Sequence, residues 1–112
     1  MAALSVDVLF DAAIRIQIEE RSFTVTYTET GVRLKFPTTR RLAEFLDVPH
    51  YYILPYFAAM EEEDLVTRAE RVGTMTTAKG TRKMVDLIRE KYENEIIVIL
   101  GRPVFLELAK RI

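Results

Sequence analysis

Two residue types that carry much of protein chemistry are scarce in this chain: it has no cysteine and a single histidine, His50. Without cysteine there is no disulfide frame, no thiolate metal site and no cysteine nucleophile. One histidine is too few for a histidine metal cluster and argues against a Ser-His-Asp triad. We therefore expect a protein that binds rather than catalyses, with no catalytic residue, no metal ligand and no cofactor.

Long apolar segments are also missing. The longest wholly apolar run, residues 96–100, is far shorter than the roughly 20 residues that cross a bilayer. Asp7 and Asp11 fall where a signal peptide would need its apolar region. We expect no membrane partner and a cytoplasmic location.

An excess of one charge is absent overall, because 16 Lys and Arg face 17 Asp and Glu for a formal charge of −1. The charges are nevertheless sorted along the chain. Residues 42–64 hold acids and no Lys or Arg. The flanking basic blocks consist of Arg33, Lys35, Arg40 and Arg41 on one side, and of Arg68, Arg71, Lys79, Arg82 and Lys83 with only Glu70 against them on the other. A nearly neutral chain can thus present a basic surface.

Apolar periodicity in the first half predicts a helix, a hairpin and two further helices. Residues 5–20 follow a helical period with Ser5 as the N-cap. Residues 23–36 alternate with period two around Glu29-Thr30-Gly31, which is typical of a β-hairpin. A helix capped by Thr38 or Thr39 follows, and after Asp47-Val48-Pro49 a second helix places Ile53, Phe57 and Met60 on its inner face.

In the second half, Leu65-Val66 and Met75-Thr76 around Val72-Gly73 predict a second hairpin, and Thr81 is the expected cap of the next helix. The run 96–100 fits either a buried strand or a helix end, since five residues do not distinguish the two. A short amphipathic segment follows Gly101 and Pro103. With no repeat or linker, the chain is predicted to be one domain.

Residues 37–80 resemble the winged helix-turn-helix domain of MarR-like and related archaeal and bacterial transcription regulators. The family commonly shows Thr-x-x-x-Leu-Ala-x-x-Leu, then Leu-Glu-x-x-Gly-Leu-Val, then Leu-Thr-x-x-Gly. The matching residues are Thr38, Leu42, Ala43 and Leu46 for the first phrase; Met60, Glu61, Glu63, Asp64, Leu65 and Val66 for the second, with Asp64 where Gly is usual; and Met75, Thr76 and Gly80 for the third. The resemblance implies an α+β winged helix-turn-helix over residues 1–112, with an additional N-terminal hairpin and helical N- and C-terminal extensions.

The resemblance also implies double-stranded DNA as partner and a role in transcription regulation, with residues 50–62 as the recognition helix. Phosphates would be bound by basic side chains of the helix-turn-helix and the hairpin, and the second helix would present His50 and two tyrosines. The predicted DNA-binding residues are Arg40, Arg41, His50, Tyr51, Tyr52, Arg68, Arg71 and Lys79. The outward face of that helix lacks Arg, Lys, Asn and Gln, the side chains that usually read bases.

This lack keeps a second interpretation open, in which the winged helix is a protein–protein interaction module or a subunit of a transcription or assembly complex. Its contact face would be the apolar surface of Tyr51, Tyr52 and Pro55. For pairing of two copies, the predicted surface is the apolar helix Leu9–Ile16 together with the tail 96–112.

Overall fold

The computed structural model describes residues 3–69 and 73–112, which form helices and two antiparallel hairpins in an α+β arrangement. The elements in chain order are α1 (Val6–Glu20), β1 (Val25–Thr28), β2 (Gly31–Leu34), α2 (Thr39–Leu46), α3 (His50–Glu62), β3 (Val66–Ala69), β4 (Gly73–Thr76), α4 (Ala78–Leu87), a π-helical turn (Ile88–Tyr92), α5 (Glu93–Leu100) and α6 (Arg102–Lys110).

The first helix lies in the interior of the fold. Ser5 caps it, as predicted, by accepting a hydrogen bond from the Val8 amide at 3.1 Å. Its apolar side chains are buried by the chain itself, those of Leu9, Phe10, Ala12, Ala13, Ile14 and Ile16. The predicted pairing surface combined the helix Leu9–Ile16 with the tail 96–112. Its helix part is wrong, since those side chains pack into the core of one copy.

The first hairpin forms at the predicted place, with Thr28 paired to Gly31 across the two-residue turn Glu29-Thr30. Gly31 has a φ of 138°, a value that favours glycine. Val32 and Leu34 are buried on one face, whereas Tyr27 is exposed. The hairpin thus packs mainly through its second strand.

The two middle helices are joined by a tight turn. Thr38 caps α2 by accepting from the Arg41 amide at 3.1 Å. Asp47 ends α2 in the left-handed conformation, and the Val48 amide bonds back to the Ala43 carbonyl at 3.1 Å. This is the Schellman type of helix end.

The end of α3 explains the Asp found where the resemblance would place Gly. Asp64 has a φ of 61°, and the Leu65 amide donates to the Met60 carbonyl at 2.8 Å. The helix end is again of the Schellman type, and Asp64 adopts the left-handed conformation that glycine takes most easily.

The two hairpins are joined to each other by backbone contacts between the end of the first hairpin and β4. The Phe36 amide donates to the Thr74 carbonyl at 2.9 Å, and Lys35 forms a bridge with Met75. Further along the outer edge of β2, where β4 ends and α4 begins, the backbone of β2 is bonded by two threonine hydroxyls instead of by a neighbouring strand. The Thr76 hydroxyl accepts from the Leu34 amide at 2.9 Å and lies 2.7 Å from the Thr81 hydroxyl, which donates to the Val32 carbonyl at 2.6 Å.

The prediction that Thr81 caps the next helix is wrong, because α4 begins one turn earlier. Thr77 is the cap, and its hydroxyl accepts from the Gly80 amide at 3.0 Å. A Cβ added to Gly80 would lie 1.8 Å from the Leu65 carbonyl oxygen. Only glycine lets α4 start this close to the second hairpin, which leaves Thr81 inside the helix and fully buried.

The C-terminal third is helical. The run 96–100, which fitted either a strand or a helix end, belongs to α5, and the π-helical turn separates α5 from α4. Gly101, with a φ of 86°, then redirects the chain into α6.

One apolar core joins these elements. Three aromatic rings run through it edge to face: Phe10 of α1 lies 5.3 Å from Phe36, and Phe36 lies 6.1 Å from Phe57 of α3, measured between ring centroids. The rings therefore join α1 to the segment after β2 and to α3.

The threonine pair at the edge of β2 leads to a stability prediction. We expect Thr81→Val to lower the free energy of unfolding by about 1–3 kcal/mol, since the Val32 carbonyl loses its buried donor. Thr81→Ser keeps the hydroxyl and should lose less. Urea unfolding followed by circular dichroism measures both, and a serine variant less stable than the valine variant would contradict the role of the hydroxyl.

The left-handed residue after α3 gives a prediction of opposite sign. Asp64→Gly should raise the free energy of unfolding by about 0.5–1 kcal/mol, because glycine adopts this conformation without steric cost. Asp64→Ala, which keeps a Cβ and lacks a polar side chain, should lower it. In a thermal melt, the melting temperature should be highest for the glycine variant, intermediate for the wild type and lowest for the alanine variant if the backbone conformation decides the effect.

Candidate nucleic-acid interface

The first residues of α2 and α3 are in direct contact. The Thr39 hydroxyl and Nε2 of His50 are 2.7 Å apart, and each residue is the first of its helix. The N-terminal ends of the two helices therefore lie side by side. Helix N-termini carry partial positive charge and amides without intrahelical acceptors.

These amides are occupied to different degrees in the two helices. In α2 the Thr38 side chain binds the Arg41 amide. In α3 the cap position is Pro49, and no side chain caps the helix. The Tyr52 amide donates to the Pro49 carbonyl at 3.0 Å, which leaves the amides of His50 and Tyr51 to solvent or to a ligand.

The two arginines at the start of α2 have different partners. Nε of Arg41 lies 3.0 Å from Oε2 of Glu20, an ion pair that ties α2 to the end of α1. Arg40 is exposed and forms no ion pair with the described residues. Of the two, Arg40 has the more available charge.

One basic side chain of the second hairpin and one of α4 contact the acidic end of α3. Nη2 of Arg68 lies 3.3 Å from Oε1 of Glu61, and its guanidinium is 5.6 Å from the centre of the Phe57 ring. Nζ of Lys79 donates to the Glu63 carbonyl at 3.0 Å. Both cations thereby compensate the negative end of the helix. Arg71, predicted to bind DNA, lies outside the described residues.

The exposed face of α3 is apolar along most of its length. Tyr51, Tyr52 and Leu54 are 64%, 49% and 43% exposed, and Pro55 is exposed beside them. The two tyrosine rings meet edge to face at 4.7 Å. This face offers hydroxyls, rings and aliphatic carbon, with no side chain suited to a bidentate bond with a base.

The predicted site residues thus form two groups at the two ends of α3. His50, Tyr51 and Tyr52 lie at its start, where His50 meets the first turn of α2. Arg68 and Lys79 meet its end, about 20 Å away along the helix axis. The structure does not bring all of them to one point.

A charged groove that the sequence analysis did not anticipate runs along α1 and α4. Its volume is about 710 Å³. Charged side chains of both signs line it: Asp7, Asp11, Arg15, Lys83, Asp86, Glu90 and Lys91. Nζ of Lys83 is 2.6 Å from Oδ1 of Asp7, so much of the charge is paired across the groove. The sequence shows two acids four positions apart on α1 and bases on α4, but it does not show that they face each other across a groove, because that depends on how the two helices pack.

Tyr92 is bonded to Asp11, one of the acids that line this groove. Its hydroxyl donates to Oδ1 of Asp11 at 2.7 Å, and this bond holds the π-helical turn to α1. Burial, followed by the hydrogen bond to Asp11 and the charge of Asp11, raises the pKa of Tyr92 to about 12. Each effect disfavours the phenolate.

The chain was also compared with known proteins. No protein-family model matches it, and neither the curated proteins nor the solved structures yield a significant match. Within residues 3–69 and 73–112, no helix is long and apolar enough to span a bilayer, and no group of His, Cys, Asp and Glu is arranged to hold a metal ion.

The raised pKa of Tyr92 predicts an alkaline loss of stability. Between pH 10 and about 12 an unfolded tyrosine releases its proton while Tyr92 in the native chain keeps it, so the free energy of unfolding falls as pH rises. Tyr92→Phe lacks this proton and should show a smaller fall across the same window. Denaturant unfolding at several pH values measures the slope.

Tyr27→Phe is the matched control, because Tyr27 is an exposed tyrosine of the first hairpin. We expect this variant to keep the wild-type slope. An identical slope in the Tyr92 variant and the wild type would contradict the prediction.

Proposed function

We propose that this chain is a DNA-binding protein of the winged helix-turn-helix type that regulates transcription. The order of elements supports the proposal: α2, a three-residue turn, α3, and then the hairpin β3–β4, with the residues after β2 bridging to β4. In this interpretation α3 is the recognition helix and the hairpin is the wing.

The observation that carries the proposal is the junction of the two helix N-termini. The Thr39–His50 contact sets them side by side, α3 is left without a side-chain cap, and Arg40 is exposed in the first turn of α2. Unpaired amides at a helix N-terminus together with a nearby arginine form a favourable place for a phosphate group.

Base recognition is the weaker part of this interface. Tyr51 and Tyr52 offer hydroxyls and ring edges, which can contact phosphates or thymine methyl groups. With no bidentate base contact available from α3, preference for a sequence would come from the shape and flexibility of the duplex. Arg68 and Lys79 supply further positive charge near the opposite end of α3, reduced by their acidic neighbours.

A second candidate function is protein binding through α3. The specific observation is the exposed apolar surface of Tyr51, Tyr52, Leu54 and Pro55, which borders a shallow cleft shared with Leu4. An apolar face with these side chains is more typical of a protein contact than of a DNA contact. In this case the winged helix would be an assembly module.

A salt titration of DNA binding tests the proposal. Fluorescence anisotropy with a labelled mixed-sequence duplex should give an affinity that falls steeply as salt rises. Arg40→Ala should lower the magnitude of the slope of log K against log[salt] by about 0.9, the value for one lost phosphate contact. Circular dichroism verifies that the variant is folded.

Arg89→Ala is the control, because Arg89 is also exposed but lies on the π-helical turn, outside the helix-turn-helix and the hairpin. Its slope should equal that of the wild type. Absence of DNA binding at low salt would overturn the proposal and favour the protein-binding alternative, and an equal effect of both substitutions would contradict the assigned site.

A further inference from the structure

The helix α5 is apolar on more sides than its own chain covers. Of the five consecutive apolar residues from Ile96 to Leu100, only Ile96 is fully buried. Val98 is 79% exposed, the largest exposed fraction among the large hydrophobic residues that the structure describes. A helix with apolar residues all round is normally covered by another surface.

A cleft of about 430 Å³ borders Val98. Its apolar part consists of Ile18 of α1 and of Val98 and Ile99 of α5. Arg21, just after α1, and Glu95 of α5 line the same cleft. We call these five residues the α5 patch.

The two charged residues of the α5 patch have opposite signs. Arg21 and Glu95 are both exposed, and neither forms an ion pair with another described residue. The patch therefore has an apolar centre and one unpaired charge of each sign on its border.

We propose that the α5 patch binds the same patch of a second copy of this chain, in a two-fold dimer with Arg21 of each copy opposite Glu95 of the other. A two-fold interface uses one surface twice, so that surface must be complementary to itself. An apolar centre meets this condition, and opposite charges on the border meet it when the two copies are antiparallel. A partner of different sequence would not need both signs on one patch.

This dimer is independent of the proposed DNA contact. The α5 patch shares no residue with α2, α3 or the second hairpin. The dimer can be disproved without affecting the DNA proposal, and the reverse holds as well.

Charge reversal tests the pairing. The wild type should sediment as a dimer at micromolar concentration. Arg21→Glu and Glu95→Arg should each weaken the dimer at least about tenfold, because each places like charges opposite one another twice. The double variant restores opposite charges at both contacts and should recover the dimer.

A mixture of the two single variants gives the sharper result. Each alone has like charges at both contacts, but a heterodimer of one Arg21→Glu chain and one Glu95→Arg chain has opposite charges at both. We expect equal amounts of the two chains to form dimers that neither forms alone. A contact within one chain would not produce this recovery.

Arg89→Glu is the control for a change of net charge, and it should leave the dimer unchanged. A monomeric wild type at micromolar concentration would overturn the proposal. A dimer that persists in both single variants would overturn the assigned surface, and so would failure of the mixture to associate although the double variant does.

Discussion

The outer edge of β2 imposes the constraint on which the rest of the fold depends. Its backbone polar groups point away from β1 and are buried, so each needs a partner. The Phe36 amide finds one in the backbone of β4, whereas Leu34 and Val32 find theirs in the Thr76 and Thr81 hydroxyls. These bonds set the second hairpin and α4 against the first hairpin. These bonds also determine the position of α3, because α3 ends just before the second hairpin begins.

The two ends of α3 differ in their charged neighbours. Its start adjoins the start of α2 with an exposed Arg40, while its acidic end holds Arg68 and Lys79 in internal contacts. The basic blocks of the sequence therefore do not add up to one uniformly positive face. Arg40 at the beginning of the helix pair keeps an exposed charge without an ion-pair partner among the described residues, whereas Arg68 at the other end is paired with Glu61.

Local signals in the sequence predicted local structure well. Ser5 and Thr38 cap the predicted helices, and Gly31 follows the hairpin turn. The helix that was predicted to begin at Thr81 begins instead after Thr77, because Gly80 packs against Leu65 of a separate segment, a contact that local sequence does not show. Periodicity identified the apolar face of α1 without showing that the chain itself covers it, and it left the run 96–100 open between a strand and a helix end. For the candidate site, residue types and exposure were predictable, but the partners of Arg41, Arg68 and Lys79 were not, because those pairings join separate elements.

The π-helical turn has a consequence for the rotation of the helix that follows it. In an uninterrupted α-helix at about 100° per residue, position 95 would lie in line with the buried Ile88, and a glutamate would enter the core. A π-turn takes up about one extra residue, which shifts the phase by about one position. Ile96 then lies in line with Ile88 and is buried, while Glu95 rotates outward. The one extra residue thus brings the apolar side chains of α4 and α5 onto the same buried face and leaves Glu95 on the surface.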